Sequence, residues 1–287
     1  MERKISIRAT IILSVIIFTQ FSTGVNAQVF NFDYLTYSDH LRINTEETPM
    51  GNATVILIRS TKDFDATGKT FRRTTSYKEY YLYSTLPFLI RKQLTIFVAF
   101  QLGFVIPSQG IMFYTWGTPW IWTKFRLSQN LPIELRAGIK LGKLGSFWRE
   151  ENEVDIGILS SISLNGTLVD GTLSYRVRSR GKPILQAFGF SGLSDKKGDE
   201  FHYKLKLSNK FTDKKTMAIF LLGYVGRNRE LENESLPNSY SRKTTLGFNF
   251  DYHPSETRTI GLSFLYDVAG RYDQQMVALV FNIAERL

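Results

Sequence analysis

The stretch Thr244-Thr245-Leu246-Gly247-Phe248-Asn249-Phe250-Asp251-Tyr252-His253 decides the fold. Leu246, Phe248, Phe250 and Tyr252 take every second position, and Thr245, Gly247, Asn249 and Asp251 fill the others. Side chains of an extended chain point alternately to opposite faces, so this run reads as a strand with one apolar and one polar side. The pattern recurs. Ile260, Leu262, Phe264 and Tyr266 oppose Gly261, Ser263 and Asp267. Phe201, Tyr203, Leu205 and Leu207 oppose His202, Lys204, Lys206 and Ser208. Ile133, Leu135, Ala137, Ile139 and Leu141 oppose Glu134, Arg136, Gly138 and Lys140.

Soluble antiparallel sandwiches alternate too, so alternation alone does not choose between them and a membrane barrel. Strand length does. The runs extend over about ten residues, the length a tilted membrane-crossing strand requires, whereas soluble strands average about 5–6. Aromatic residues recur towards strand ends, in Tyr80-Tyr81-Leu82-Tyr83 and at Trp120, Trp122, Tyr224, Tyr252 and Tyr266, as expected of interfacial girdles. The polar face is rich in Gly, Ser, Thr and charge, which suits a wet interior. The expected fold class is therefore all-β, an antiparallel transmembrane β-barrel.

The connections supply a strand number. Strands are read near residues 53–59, 74–83, 93–105, 118–127, 132–142, 153–163, 168–179, 200–210, 215–225, 243–253, 258–267 and 273–283, which makes about twelve. Even-numbered connections are short, at 86–92, 128–131, 164–167, 211–214 and 254–257, and Asn165-Gly166 is a strong hairpin signal. Odd-numbered connections are longer and polar, at 60–73, 107–117, 143–152, 179–199 and 226–242, while the one at 268–272 is shorter. Bacterial barrels place short turns on the periplasmic side and long loops outside. Pro183–Phe190 is itself strand-like, but counting it breaks the short–long alternation, so it is assigned to an outer loop.

The first residues read as an address. Arg3, Lys4 and Arg8 precede a short apolar stretch from Ala9 to Phe18, and Val25-Asn26-Ala27 fits a signal-peptidase site. The expected organisation is a signal peptide at 1–27, a periplasmic segment at 28–50 and a barrel at 51–287, in a bacterial outer membrane. The barrel would contact outer-membrane lipid and the barrel-assembly machinery. That machinery commonly reads a terminal aromatic residue, where this chain ends in Leu287.

Composition excludes several functions. With no Cys there is no disulfide framework and no thiol nucleophile, and three histidines, His40, His202 and His253, make a His-rich metal site unexpected. No cofactor is implied. A net charge of +10 invites a nucleic-acid reading, but the bases alternate with apolar residues instead of forming a block, and no DNA- or RNA-binding motif occurs. The absence of Gly-x-Ser-x-Gly and the scatter of the histidines argue against a lipid hydrolase, so no enzymatic activity is expected.

The stretch from Thr74 to Gly181 resembles the family of transporters of the MetA pathway of phenol degradation. The resemblance rests on the strand pair Tyr80–Val105 with Leu86-Pro87-Phe88, on Gly117-Thr118-Pro119-Trp120 leading into Lys124-Phe125-Arg126-Leu127, and on Leu131–Leu141. Glu153-Val154-Asp155-Ile156-Gly157 and Gly171-Thr172-Leu173-Ser174-Tyr175-Arg176 complete it. Where that family often carries Pro-Thr-Gly, this chain has Gly142-Lys143-Leu144. The resemblance implies an outer-membrane channel for small organic molecules and defines no catalytic residues.

Parity then assigns the interior. With Leu135, Tyr175 and Leu205 towards lipid, Lys124, Arg126, Arg136, Lys140, Arg176, Arg178, Lys204 and Lys206 face inward, because a base at the bilayer midplane costs about 2–4 kcal/mol. Such a wall attracts anions. Alternatively Glu134, Asp155, Asp251 and Asp267, on the same face, pair with the bases as a polar plug. Trp120 and Trp122 share the parity of Lys124 and are candidates for stacking an aromatic substrate, although as strand-end aromatics they also fit girdle anchors. A structural or secretion-accessory barrel without transport is the alternative function.

Overall fold

The computed structural model describes residues 50–286 except 92, 109–112, 117–118, 129–131, 141–151, 180–194, 197, 229 and 232–233. The proposed signal peptide, residues 28–49 and Pro183–Phe190 lie outside the described residues. The described residues form sixteen strands: β1 Met50–Phe64, β2 Thr70–Ile90, β3 Leu94–Pro107, β4 Phe113–Trp116, β5 Trp120–Arg126, β6 Ile133–Lys140, β7 Glu153–Leu164, β8 Thr167–Arg178, β9 Asp195–Lys196, β10 Glu200–Thr212, β11 Lys215–Gly226, β12 Glu230–Leu231, β13 Glu234–Ser235, β14 Arg242–Ser255, β15 Arg258–Arg271 and β16 Gln274–Arg286.

Twelve of them, all except β4, β9, β12 and β13, form one closed antiparallel barrel. Sequence neighbours pair throughout, and β16 returns to β1 in a ladder from Met50↔Arg286 to Asp63↔Gln274. Closure removes the open sheet edges that a lipid environment cannot satisfy. β3 pairs with β5 over Leu94–Ala99 and with β4 over Leu102–Val105, so β4 continues the position of β5 towards the long-loop end. The short β9, β12 and β13 form a small sheet from the connections after β8 and β11.

The two faces of each strand separate as the alternation requires. Leu135, Leu205, Leu246, Phe248, Phe264 and Leu279 are exposed on the outside, whereas Arg136, Lys204, Thr245, Asn249, Ser263 and Ala278 are buried inside. So continuous an exposed apolar surface is a lipid-facing belt, not the exterior of a soluble domain. Among the described residues Phe88 and Phe211 are the most exposed large apolar residues, at 83% and 74%, and both sit beside short turns.

Turn chemistry follows the sequence at Asn165-Gly166. Both residues have positive φ, 50° and 84°, joining Leu164 to Thr167 in the primed hairpin geometry that twisted strands favour. Pro87, which has no N–H to donate, falls where the β2–β3 register shifts between Pro87 and Leu89. The first outer connection departs from expectation. Instead of a loop over 60–73, β1 continues to Phe64 and the 21-residue β2 starts at Thr70. A tight turn remains, held by the Asp65 carboxylate, which accepts from the Thr67 N–H (2.8 Å), the Thr67 hydroxyl (2.7 Å) and the Lys69 N–H (3.0 Å). Above the belt water solvates both faces of a ribbon, so these residues pair as strand without an alternating signature.

The interior is less polar than the strand faces suggest. Ile56, Ile58, Leu159, Phe220, Leu222, Leu265 and Met276 are buried on inward faces. Several inward side chains lie over the glycine directly opposite on the next strand. A Cβ built at Gly103 would lie 2.3 Å from the Tyr81 ring, at Gly138 2.0 Å from Trp122, and at Gly247 2.2 Å from Phe220. Glycine is thus required where a ring covers the backbone. Gly138→Val is expected to lower stability by about 1–3 kcal/mol through overpacking against Trp122. Urea unfolding of the detergent-folded barrel measures it, and an unchanged midpoint would contradict the packing.

Candidate lumenal site

The β5–β10 wall carries the charged residues, and strand register places them side by side. Lys140, Glu153 and Arg178 stand directly opposite one another on β6, β7 and β8. One level further in, Asp155, Arg176 and Glu200 do the same on β7, β8 and β10. Opposite charges alternate along each row, the stabilising arrangement for cross-strand neighbours.

The contacts follow these rows. Asp155 accepts from Arg136 Nη2 (3.2 Å) and from Arg176 Nε (3.3 Å) on its two oxygens, and Arg136 Nη2 also donates to Ser174 Oγ at 2.6 Å. Lys140 Nζ lies 2.6 Å from Glu153 Oε1, and Arg176 and Arg178 approach the other Glu153 oxygen at 3.6 Å. Arg178 grips both oxygens of Glu200, at 2.7 and 2.8 Å, and donates to the Gly198 carbonyl at 3.2 Å, tying the wall to the connection after β8. Glu134 receives Lys124 Nζ at 3.0 Å and Arg126 Nη2 at 3.4 Å. Low exposure makes these charge-assisted bonds stronger than surface pairs and makes loss of either partner costly.

All eight bases singled out by parity sit on inward faces. Arg136, Arg176, Arg178, Lys204 and Lys206 are buried, while Lys124, Arg126 and Lys140 are partly so. Lys204 Nζ lies 5.5 Å from the Phe220 ring centre. Lys206, 7% exposed, forms no ion pair with a described residue; Asp170, opposite it, accepts the Ser161 hydroxyl at 2.5 Å.

Trp120 and Trp122 are not girdle anchors. They are 3% and 1% exposed, point inward and stack on each other at 4.8 Å. Arg176 sits 5.0 Å from the Trp120 ring centre, Arg136 5.6 Å from that of Trp122, and Phe97 stacks on Trp122 at 6.5 Å. Tyr81, Tyr83 and Tyr224 are likewise interior, whereas Tyr252 and Tyr266 remain on the outer face. The even–odd position within the strand, not closeness to its end, sets these orientations.

The counter-charges Glu153 and Glu200 are missing from the sequence reading, although each lies two residues from a polar inward neighbour, Asp155 and His202. A second cluster was less legible. Lys243 bridges Asp267 (3.3 Å) and Asp273 (3.2 Å), Tyr224 donates to Asp273, and Arg73 pairs with Asp63 (3.3 Å). Tyr224, Lys243, Asp267 and Asp273 meet across the consecutive strands β11, β14 and β15 and the turn into β16, whereas closure of β16 on β1 brings Arg73 Nη1 to Gln274 Oε1 at 2.9 Å. Asp251 accepts from Asn249 at 2.7 Å.

His202 contacts Glu200 at 3.0 Å and Tyr224. His253 lies between the hydroxyls of Thr216 (3.2 Å) and Thr259 (3.0 Å), while His40 is outside the described residues. Among the described residues no group of three or more His, Cys, Asp or Glu is placed to hold a metal ion.

No family model matches the chain, and no curated protein matches it. Solved structures do. An outer membrane channel from Pseudomonas putida F1 aligns over 83% of this chain and 95% of its own, with TM-score 0.65 and 14% identity. The translocator domain of the autotransporter NalP from Neisseria meningitidis aligns over 98% of both chains, with TM-score 0.56 and 12% identity. The transport unit of the autotransporter AIDA-I from Escherichia coli covers 94% of both, with TM-score 0.50 and 8% identity. Identities this low speak to the fold alone. With the lipid-facing belt, they establish a closed twelve-stranded antiparallel transmembrane β-barrel, the fold of these outer-membrane proteins.

Proposed function

We propose that the barrel is a non-enzymatic channel for small organic anions. The observation that carries this reading is the charge of the β5–β10 wall. The eight inward bases face five carboxylates, Glu134, Glu153, Asp155, Asp170 and Glu200, which leaves the wall net positive, and a positive lining favours anions. The resemblance to the phenol-degradation transporters supports aromatic members of that class. Trp120 and Trp122 are the proposed stacking surface, and Lys206, which forms no ion pair with a described residue, is the proposed partner for a carboxylate.

Arg136 is a poor probe of this idea because its loss strands Asp155. Lys206 is a better one. Refolded barrel in a planar bilayer is expected to conduct with anion preference in a salt gradient, and Lys206→Glu is expected to move the reversal potential towards cations. Conductance without that movement would sink the anion path. The dense interior, with Trp122, Arg176, Arg178 and Phe220 all nearly inaccessible, favours the second reading, a structural or secretion-accessory barrel, and absence of any conductance would select it.

A further inference from the structure

The outer face of β1 and β2 carries a feature that the lumen does not use. Arg59 stands directly opposite Lys78, and beyond the bulge at Ser60–Lys62, Lys62 stands directly opposite Arg72. All four side chains are exposed on the barrel exterior, and among the described residues none has an ion-pair partner. Directly opposed side chains lie about 5 Å apart, and like charges there repel. Two such pairs in succession are unfavourable unless an anion outside the chain sits between them.

Their height on the barrel identifies where that anion would be. The register row through Arg59 and Lys78 continues to Val277 and Tyr266 on one side and Ile106 on the other. One level towards the short turns, Leu57 and the stacked Tyr80–Phe104 pair belong to the apolar belt. The bases thus begin where the belt ends, at the long-loop side, the headgroup level of the outer leaflet. No Asp or Glu stands on the outward faces of the described residues of β1, β2, β3, β15 or β16 at this end. The carboxylates nearby are turned inward or already engaged: Glu79 is buried inside and accepts from the Tyr81 hydroxyl at 2.9 Å, Asp65 is held within its turn, and Asp63, Asp267 and Asp273 pair with Arg73 and Lys243 on the inside.

We infer that this face binds the phosphate groups of the phosphorylated glycolipid that forms the outer leaflet, one phosphate bridging Arg59 and Lys78 and another Lys62 and Arg72. Arginine offers forked donors to phosphate and lysine a point charge, and clustered bases at a membrane surface act additively on anionic lipid. The reading depends on the fold and not on any channel activity.

The test titrates full barrel, refolded from denaturant into detergent so that no lipid is carried over, with bisphosphorylated lipid A, dephosphorylated lipid A and phosphatidylglycerol. Bound lipid is counted by native mass spectrometry. The wild type is expected to bind the phosphorylated form at least about ten-fold more tightly than the dephosphorylated one. The variant R59Q/K62Q/R72Q/K78Q is expected to lose that preference, and R59K/R72K, which keeps the charge, to retain most of it. Folding is followed by heat-modifiable gel mobility; if the quadruple variant does not refold, K62Q/R72Q alone is expected to show a partial loss. Unchanged lipid A affinity in the neutralised variants overturns the proposal. So does equal binding of the two lipid A forms, or phosphatidylglycerol binding as tightly as lipid A.

Discussion

Replacing Asp155 by alanine is expected to cost about 3–5 kcal/mol of barrel stability, because it removes one partner from a buried charge cluster and leaves the others uncompensated. Asp155 is fully inaccessible and divides its two oxygens between Arg136 and Arg176, with Ser174 alongside. Neither arginine can swing to lipid, since both project inward from strands fixed by neighbours on each side. Urea unfolding in detergent, followed by tryptophan fluorescence, measures the loss directly, because Trp120 and Trp122 lie against Arg176 and Arg136. A loss below about 1 kcal/mol, the scale of an exposed pair, would show that water reaches this part of the lumen freely. Replacing Asp155, Arg136 and Arg176 together by apolar residues is expected to recover part of the loss, as no buried charge then lacks a partner.

The second large effect is expected on the opposite face. Phe264→Arg places a charge in the lipid belt, in the row Phe248, Phe264, Leu279, Leu57 that crosses β14, β15, β16 and β1. The expected cost is about 1–3 kcal/mol, between the midplane value of about 2–4 and the near-zero value at the interface, because the row lies one level inside the edge of the belt. Ser263→Lys, one residue away but inward, places its charge against Asn249 and should cost less. Refolding yield into lipid vesicles over a urea series compares the two. Equal penalties for Phe264→Arg and Ser263→Lys would contradict the two-sided barrel wall.

The contrast between these substitutions shows what could be read in advance. Residues 244–253 announce their own two faces, because in a strand the face depends only on whether a position is odd or even, and lipid enforces the apolar set along the whole belt. The same rule places Lys124, Arg136, Arg176 and Lys204 inside. It also places Trp120 and Trp122 inside, where closeness to a strand end had suggested a girdle. Beyond the belt the rule fades, and the strand segments 60–64 and 70–73 read as loop because water accepts either face.

The amino-acid sequence by itself determined the strand number, the closed all-β class and which face of each strand meets lipid, since these follow from local periodicity and connection length. Tertiary structure alone decided which side chains meet across the ladders. The Lys140–Glu153–Arg178 row, the Trp122 ring over Gly138, the Arg59–Lys78 opposition and the Lys243–Asp267–Asp273 cluster are matters of register, and the Arg73–Gln274 hydrogen bond depends on β16 closing on β1. The physical reason is range: alternation is written into neighbouring residues, whereas register and closure are settled by contacts between segments far apart in the chain.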